Sequence, residues 1–211
     1  MTPGARRALP AVRRELEKRR LLLIADAHLP SIAALVAGGP ITGSWWSHPL
    51  AHEIYDVCQW LDLQPEVARV KLVAGKVTFV HRSLFASVAA VGSAREPWQM
   101  RALTAAPKRL LARADADGVV RLDELVPRSR EAVQARAKSA SELERRLLVR
   151  TDDVHTAAGA HARRLWSWPA WRASLVPVPA SIPVAAGRAA LEDAVAGFGG
   201  VTGRRALLPW L

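Results

Sequence analysis

His48 and His52 stand four residues apart in the stretch GSWWSHPLAHEIYDVCQWLD, which runs from Gly43 to Asp62. On a helix that spacing brings two imidazoles to one face, where they can share a metal ion. Asp56 lies a further turn along the axis, too far to complete the same tetrahedral site, so a third ligand such as His81 would have to come from elsewhere. The competing reading is structural: His48 caps the helix, and His52 is a solvated residue with Asp56 as its i, i+4 partner. Under that reading neither a metal nor a cofactor is expected. Trp45 and Trp46 offer faces on which a base can stack, or they divide their roles between core and domain interface. Together with His48 they form a candidate pocket. Glu53 and Asp56 are the carboxylates placed for acid–base work, or they are ordinary surface groups. No Gly-rich phosphate loop, HExxH or GxSxG string is present.

The elements that must hold these residues follow from periodicity. LPAVRRELEKRR sets Val12 and Leu16 on one helical face, with Pro10 in the first turn. LPSIAALVAGG reads as a short helix after Ser31 that stops at Gly38 and Gly39. Pro49 belongs near a first helical position, which makes His48 or Ser47 the N-cap. Leu50, Ile54, Val57, Cys58 and Leu61 then recur as a buried stripe. VARVKLVAGKVTFVHR switches to a period of two. With Ala74-Gly75 as a two-residue turn, Val70 and Leu72 pair with Val77 and Phe79, and Arg69, Lys71, Lys76 and Thr78 share the outer face. SLFASVAAVG reads as another helix.

After Trp98 the pattern restarts. TAAPKRLLARADADG is a helix burying Leu110 and Leu111 and ending at Gly118, and VVRLDELVP is a short strand and turn. SASELERRLLV holds two overlapping capping boxes, Ser139 with Glu142 and Ser141 with Glu144, and its Leu143, Leu147 and Leu148 face inward. LLVRTDDVHTAAGAHARRLW reads as two strands around a tip at Gly159. Helix, strand, helix, helix and two-stranded wing is the order of a winged helix-turn-helix. Pro177, Pro179 and Pro183 mark a linker before a last helix with Ser181 as its cap. Trp60, Trp98, Trp166, Trp168, Trp171 and Trp210 are read as packing residues. The expected fold class is mainly α with small β-hairpin wings (α+β), a tandem winged helix-turn-helix. Its expected parts are residues 1–96, 97–172 and 173–211.

The formal charge of +11 points to a polyanionic partner. Residues 1–20 carry seven basic and two acidic groups, a net of +5, and residues 21–94 carry four against five, a net of −1. Residues 95–172 carry sixteen against ten, a net of +6. The basic groups are mostly Arg, as a GC-rich genome would produce unselected, but even bias would not leave the middle acidic. Arg136, Lys138, Arg145, Arg146 and Arg150 fall where such a fold presents its recognition helix, and Arg163 and Arg164 fall on the wing. All seven are candidate nucleic-acid contacts. His155 and His161 flank the wing tip within reach of phosphate. The single cysteine, Cys58, forms no internal disulfide, which fits a reducing cytoplasm. The apolar run LLLIADA breaks at Asp26, too soon for a membrane span. A soluble, cytoplasmic protein with no membrane partner is expected.

The strings LPSIAALVAG, SWWSHP, KLVAGKVTFVHRSLF and ELERRLLVRTDDVHTAAGAHARRLW resemble an uncharacterised bacterial winged-helix family. That family is distantly similar to the winged-helix DNA glycosylases that unhook alkylated bases and interstrand crosslinks. The likeness covers about residues 20–170. It implies double-stranded DNA as partner, a concave stack of winged helices, and a link to DNA repair. In those glycosylases a Gln-x-Gln or Gln-x-Asp pair does the chemistry. The nearest string here, Gln59-Trp60-Leu61-Asp62, has different spacing and falls late in a helix. Whether the chain is an enzyme is thus left open. The alternatives are a glycosylase-like enzyme, a transcription regulator binding as a dimer, and a winged-helix protein-interaction module.

Overall fold

A computed structural model describes residues 1–156, 159, 161–198 and 207–211. The first helix, α1 (Pro3–Arg19), starts about two turns before the expected point. Thr2 caps it by accepting the Ala5 N–H at 3.2 Å, and Pro10 sits inside it on the exposed side. Val12 and Leu16 point inward, as their spacing requires. The strand β1 (Leu21–Leu23) follows directly. It is buried on both faces, Leu21 and Leu23 in one core and Leu22 in another. Such a strand shows no alternation of polar and apolar residues, so it carries no period-two signal. Ser31 caps α2 (Ile32–Ala37) by accepting the Ala34 N–H at 3.3 Å, and Gly38 ends it with φ of 78°. A left-handed residue here favours glycine because no Cβ is present to clash.

Helix α3 (Ala51–Asp62) begins later than Pro49 implies, because Trp45–Ser47 form a 3₁₀ turn of their own and His48 follows in extended conformation. Its buried residues are Ile54, Val57, Cys58 and Leu61. Cys58 is 5% exposed, and burial, aided by the Asp62 carboxylate, pushes its thiol up to about 12. A thiol reagent is therefore expected to label the folded protein at least about 100-fold more slowly than the unfolded chain, since only thiolate reacts. Fast labelling under native conditions would contradict the buried stripe.

Strands β2 (Val67–Lys71) and β3 (Val77–His81) form an antiparallel hairpin, and β1 pairs on the other side of β3. The hairpin register differs by one residue from the expected one. Lys71 pairs with Val77 and Val70 with Thr78, because the connection spans Leu72–Lys76 and not two residues. Ala74 and Gly75 both have positive φ within it. A slip of one residue exchanges faces. Thr78 is consequently fully buried, accepting the Val73 N–H at 3.2 Å and donating to the Lys76 carbonyl at 3.0 Å.

Helices α4 (Phe85–Ser93) and α5 (Pro97–Met100) lead into α6 (Ala105–Asp117), which Gly118 ends. The strand β4 (Val119–Arg121) comes next, then α7 (Arg130–Arg145). Helix α7 starts at Ser129, which accepts the Ala132 N–H at 3.3 Å; Ser139 and Ser141 are interior residues and cap nothing. One helix thus stands between β4 and the wing, where the sequence suggests two. The wing is β5 (Arg150–His155) and β6 (His161–Trp166), antiparallel, with β4 on the far side of β6. After the wing come α8 (Trp168–Ala173) and α9 (Val184–Ala196). Pro183, not Ser181, occupies the cap position of α9.

The described residues form an α+β protein, with helices around two small antiparallel sheets of three strands each. Both sheets have the same order: the first strand, then the third, then the second. One face of the β1–β3 sheet packs on α1–α3, and its other face packs on α4, α8 and α9. The second sheet closes a separate core with α6 and α7. The C-terminal segment joins the first of these masses, burying Leu191, Val195, Phe198 and Leu208. A Cβ at Gly187 of α9 would stand 3.0 Å from the Ser87 carbonyl oxygen, so this glycine permits the close approach to α4. Among the described residues, no helix is long and apolar enough to cross a membrane.

Candidate nucleic-acid interface

Along α7, Arg130, Gln134, Lys138, Ser141 and Arg145 follow at spacings of four, four, three and four. At about 100° per residue, these five fall within roughly 80° of the helix circumference. Ser139, Ala140 and Leu143 are buried away from the stripe, and Glu144 is buried near its edge, where Lys71 and Thr151 engage it, so the stripe faces water. Ser141 is half-buried and the other four are exposed. No carboxylate interrupts the stripe. Glu131 and Glu142 flank it, and Glu142 pairs with Arg146 at 3.3 Å. From β6, Arg163 Nη1 donates to Ser141 Oγ at 3.2 Å, bringing a wing cation against the stripe.

Two of the predicted contacts, Lys138 and Arg145, thus lie on one exposed face with Arg163 beside them. The structure turns Arg146, Arg150 and Arg164 elsewhere. Arg146 folds back from the end of α7, and its Nη1 donates to the carbonyls of Gln99 (3.0 Å) and Arg101 (2.6 Å). The Arg150 side chain is 13% exposed, pairs with Asp152 at 2.9 Å and lies 5.6 Å from the centre of the Trp171 ring. Arg164 grips the same Asp152 through Nε (2.8 Å) and Nη2 (2.9 Å), with its guanidinium 4.7 Å from the Trp166 ring. The cause is register: Asp152 faces Arg164 across the wing ladder, and Arg150 lies two residues along on the same face. Arginines this enclosed require a carboxylate partner, and Asp152 serves both.

Burial pushes the Asp152 carboxyl up, but the Arg164 hydrogen bond and the Arg150 and Arg164 charges outweigh it. The net position is below the usual carboxylate value. A depressed folded-state pKa contributes stability above the unfolded value, which is lost as pH falls through the folded one. Asp152→Asn is expected to cost about 2–4 kcal/mol at neutral pH. Denaturant titrations should show that gap narrowing below about pH 4, where the wild-type carboxylate also protonates. A gap that stays constant down to low pH would remove Asp152 from this role.

The two sheets are tied by charge. Arg69 of β2 bridges Asp62 and Asp153, both at 3.2 Å, and Lys71 meets Glu144 of α7 at 2.8 Å. Thr151 donates to the same Glu144 carboxylate at 2.6 Å. Asp62, the acid of the Gln59–Asp62 string, is therefore part of this join. Burial raises its carboxyl above the usual value against the pull of Arg69.

Trp45 and Trp46 stack with ring centres 4.0 Å apart, and Trp46 continues to Tyr55 at 5.8 Å. Trp45 packs on the α1–α3 core, while Trp46 is 61% exposed. The pair sits on the outer side of α3 and lines none of the cavities described below. His48 Nδ1 accepts the Leu50 N–H at 3.1 Å, so this imidazole orders the chain just before α3. Among the described residues, no three His, Cys, Asp or Glu side chains converge as a metal site. His155 pairs in register with His161, and its side chain lies outside the described part of the chain.

Among the described residues, two of the cavities have volumes of about 440 Å³ each. One lies between α1 and α2. Its charged groups are already paired, Glu15 with Arg19 at 2.6 Å and Asp26 with Lys76 at 2.7 Å. The other lies between α7, the segment after β4, and the wing, and includes Arg136 and Arg163. Sequence reasoning missed Arg130 and Gln134 on α7 and Arg128 at this cavity. Extending the helical wheel back from Lys138 to Ser129 would have found the first two. Compared with protein families, curated proteins and solved structures, the chain matches none.

Proposed function

We propose that this is a cytoplasmic DNA-binding protein, built from two winged-helix units and holding duplex DNA chiefly through α7 and the β5–β6 wing. The observation that carries the proposal is the exposed α7 stripe, free of carboxylates, with Arg163 of the wing set against it. Phosphate contacts from such a surface supply affinity without base readout, and Gln134 is a side chain able to reach a base edge. The winged-helix reading rests on element order. From α1 to β3 the chain runs helix, strand, helix, helix and two-stranded hairpin; from α6 to β6 it repeats this with one helix fewer. The shared strand order of the two sheets supports the same reading.

The test is duplex binding by the full chain, measured by fluorescence anisotropy over a range of salt. Affinity falling linearly on a log–log plot, by close to one unit of slope per phosphate contacted, is the expected result. No binding at low salt would discard the proposal. The link to repair rests on the resemblance to the crosslink glycosylases, and a panel of intact, alkylated, abasic and crosslinked duplexes tests it. One observation favours a second reading, a protein-interaction module, for the first unit alone. Its α3 contains Glu53, Asp56 and Asp62 with no Lys or Arg, and exposes Tyr55 beside Trp46. Such a helix suits a protein partner better than a phosphate backbone.

A further inference from the structure

The first helix carries a set of cations that the α7 interface does not use. Arg6, Arg7, Arg13, Arg14 and Lys18 of α1 are all exposed. At about 100° per residue they fall within roughly 140° of the helix circumference. Glu17 is the one carboxylate among them, and apart from Pro3 and Pro10 every exposed residue of the helix is charged. Ala5, Val12 and Leu16 turn the opposite way, into the core shared with α2 and α3.

These cations are left unneutralised by the fold. Arg6, Arg7, Arg14 and Lys18 make no side-chain hydrogen bond or ion pair among the described residues. The next two arginines are treated differently, Arg19 pairing with Glu15 and Arg20 with Asp193, both at 2.6 Å. Nor does the helix gain from the arrangement. Its first turn contains no acidic residue, and Arg6 and Arg7 stand towards the end where the helix dipole repels a cation. Arg14 and Lys18 are like charges at i, i+4, which also repel. A face that works against its own helix is accounted for by a partner that neutralises it. Arg13 is the member held in place, 5.4 Å from the centre of the Trp60 ring, and a stacked guanidinium keeps its N–H donors for other partners.

The spacing of charge identifies that partner's chemistry. From Arg6 to Lys18 the helix rises about 18 Å, roughly one cation per 4 Å. One strand of a duplex carries a phosphate per about 3.4 Å. A lipid surface fits less well, because an interfacial helix sinks an apolar face into the bilayer, and the apolar face of α1 is already committed to the core. We infer that α1 is a second phosphate-backbone contact, on the first unit and separate from α7 and the wing. The two helices stand on different cores. Helix α1 packs on α2, α3 and the first sheet, whereas α7 packs on α6 and meets the first unit through β2. That the phosphates are those of duplex DNA rests on the proposed function.

The experiment uses the full chain with Arg6, Arg7, Arg14 and Lys18 all changed to Gln, and duplex binding followed by fluorescence anisotropy over a range of salt. The log–log slope should flatten by about three units, since each lost phosphate contact removes close to one. The melting temperature should not fall, because the substitutions relieve repulsion. A second variant, Arg6→Lys, Arg7→Lys and Arg14→Lys, keeps the charge and should keep the slope. Combined with alanine at Arg130, Lys138 and Arg145, the Gln variant should lose the sum of the two separate effects, as independent sites do. An unchanged slope in the Gln variant overturns the inference. So does a Gln variant with unchanged duplex binding that no longer sediments with vesicles of phosphatidylserine and phosphatidylcholine, which would assign the face to a membrane. If the α7 variant loses slope and the Gln variant does not, only this inference fails. If the Gln variant loses slope and the α7 variant does not, the α1 contact stands and the α7 assignment fails. A wild type that binds no duplex at low salt overturns both.

Discussion

Converting Arg130, Lys138 and Arg145 together to alanine is expected to weaken duplex binding by about 100-fold or more at low salt, at about 1 kcal/mol per phosphate contact. It should flatten the log–log salt dependence by about two to three units, because each neutralised phosphate releases close to one counterion. All three side chains are exposed on one face of α7, away from its buried residues. The fold should therefore survive, and the melting temperature should move little. Arg146, Arg150 and Arg164 supply the contrast. Their guanidiniums are committed to carbonyls and to Asp152, so alanine there should lower stability before it alters the salt slope. A second comparison uses Arg6, Arg7 and Arg13 of α1, which are also exposed. If that variant loses duplex binding while the α7 variant retains affinity and slope, the DNA lies on the other basic surface.

How much of this was legible in the sequence depends on the kind of signal each part leaves. The inward stripe of α3 is a matter of spacing alone, and Ile54, Val57, Cys58 and Leu61 are buried as that spacing demands. The Ser31 cap and the stops at Gly38 and Gly118 are local chemistry, and the structure forms all three. The start of α7 is harder, because Ser-x-x-Glu is a capping box only at a helix end; inside a helix the same residues are an i, i+3 pair. Ser129 has alanine at the position where a box would require Glu, so the true start carries the weaker signal.

A helix start at Ser139 or Ser141 hides much of the exposed stripe. It leaves Arg130 and Gln134 outside the helix and groups Arg145, Arg146 and Arg150 as one surface. Arg145 and Arg146 are adjacent in sequence but about 100° apart on a helix, and Arg150 belongs to the next strand. Composition and charge blocks locate basic segments. They do not say which guanidinium meets water and which meets Asp152, since that depends on strand register fixed by the rest of the fold.

The largest loss of stability is expected at Trp168, a buried residue outside the basic stripe of α7. This side chain is 1% exposed and packs edge-on to Trp171 with ring centres 5.4 Å apart, in the core formed by α4, α8 and α9. Its Nε1 donates to the Leu147 carbonyl at 2.7 Å. Leu147 lies just after α7 with φ of 51°, so the bond also holds the bend that turns the chain from α7 into the wing. Gln99 Nε2 reaches the same carbonyl at 3.3 Å. One indole therefore fills the first core and fastens the second unit to it. Trp168→Ala removes the packing and the donor together and is expected to cost about 3–5 kcal/mol, a large part of the 5–15 kcal/mol typical of a folded domain. Trp168→Phe keeps most of the volume and should cost less, with the difference reporting the hydrogen bond to Leu147. The same contact can be attacked from α4. A Cβ at Gly92 would stand 2.2 Å from the Trp168 ring, so Gly92→Ala should destabilise through overpacking by about 1–3 kcal/mol or more. Denaturant unfolding of the three variants decides the matter. If Trp168→Ala lowers stability by less than 1 kcal/mol, the indole is not the fastening between the two units.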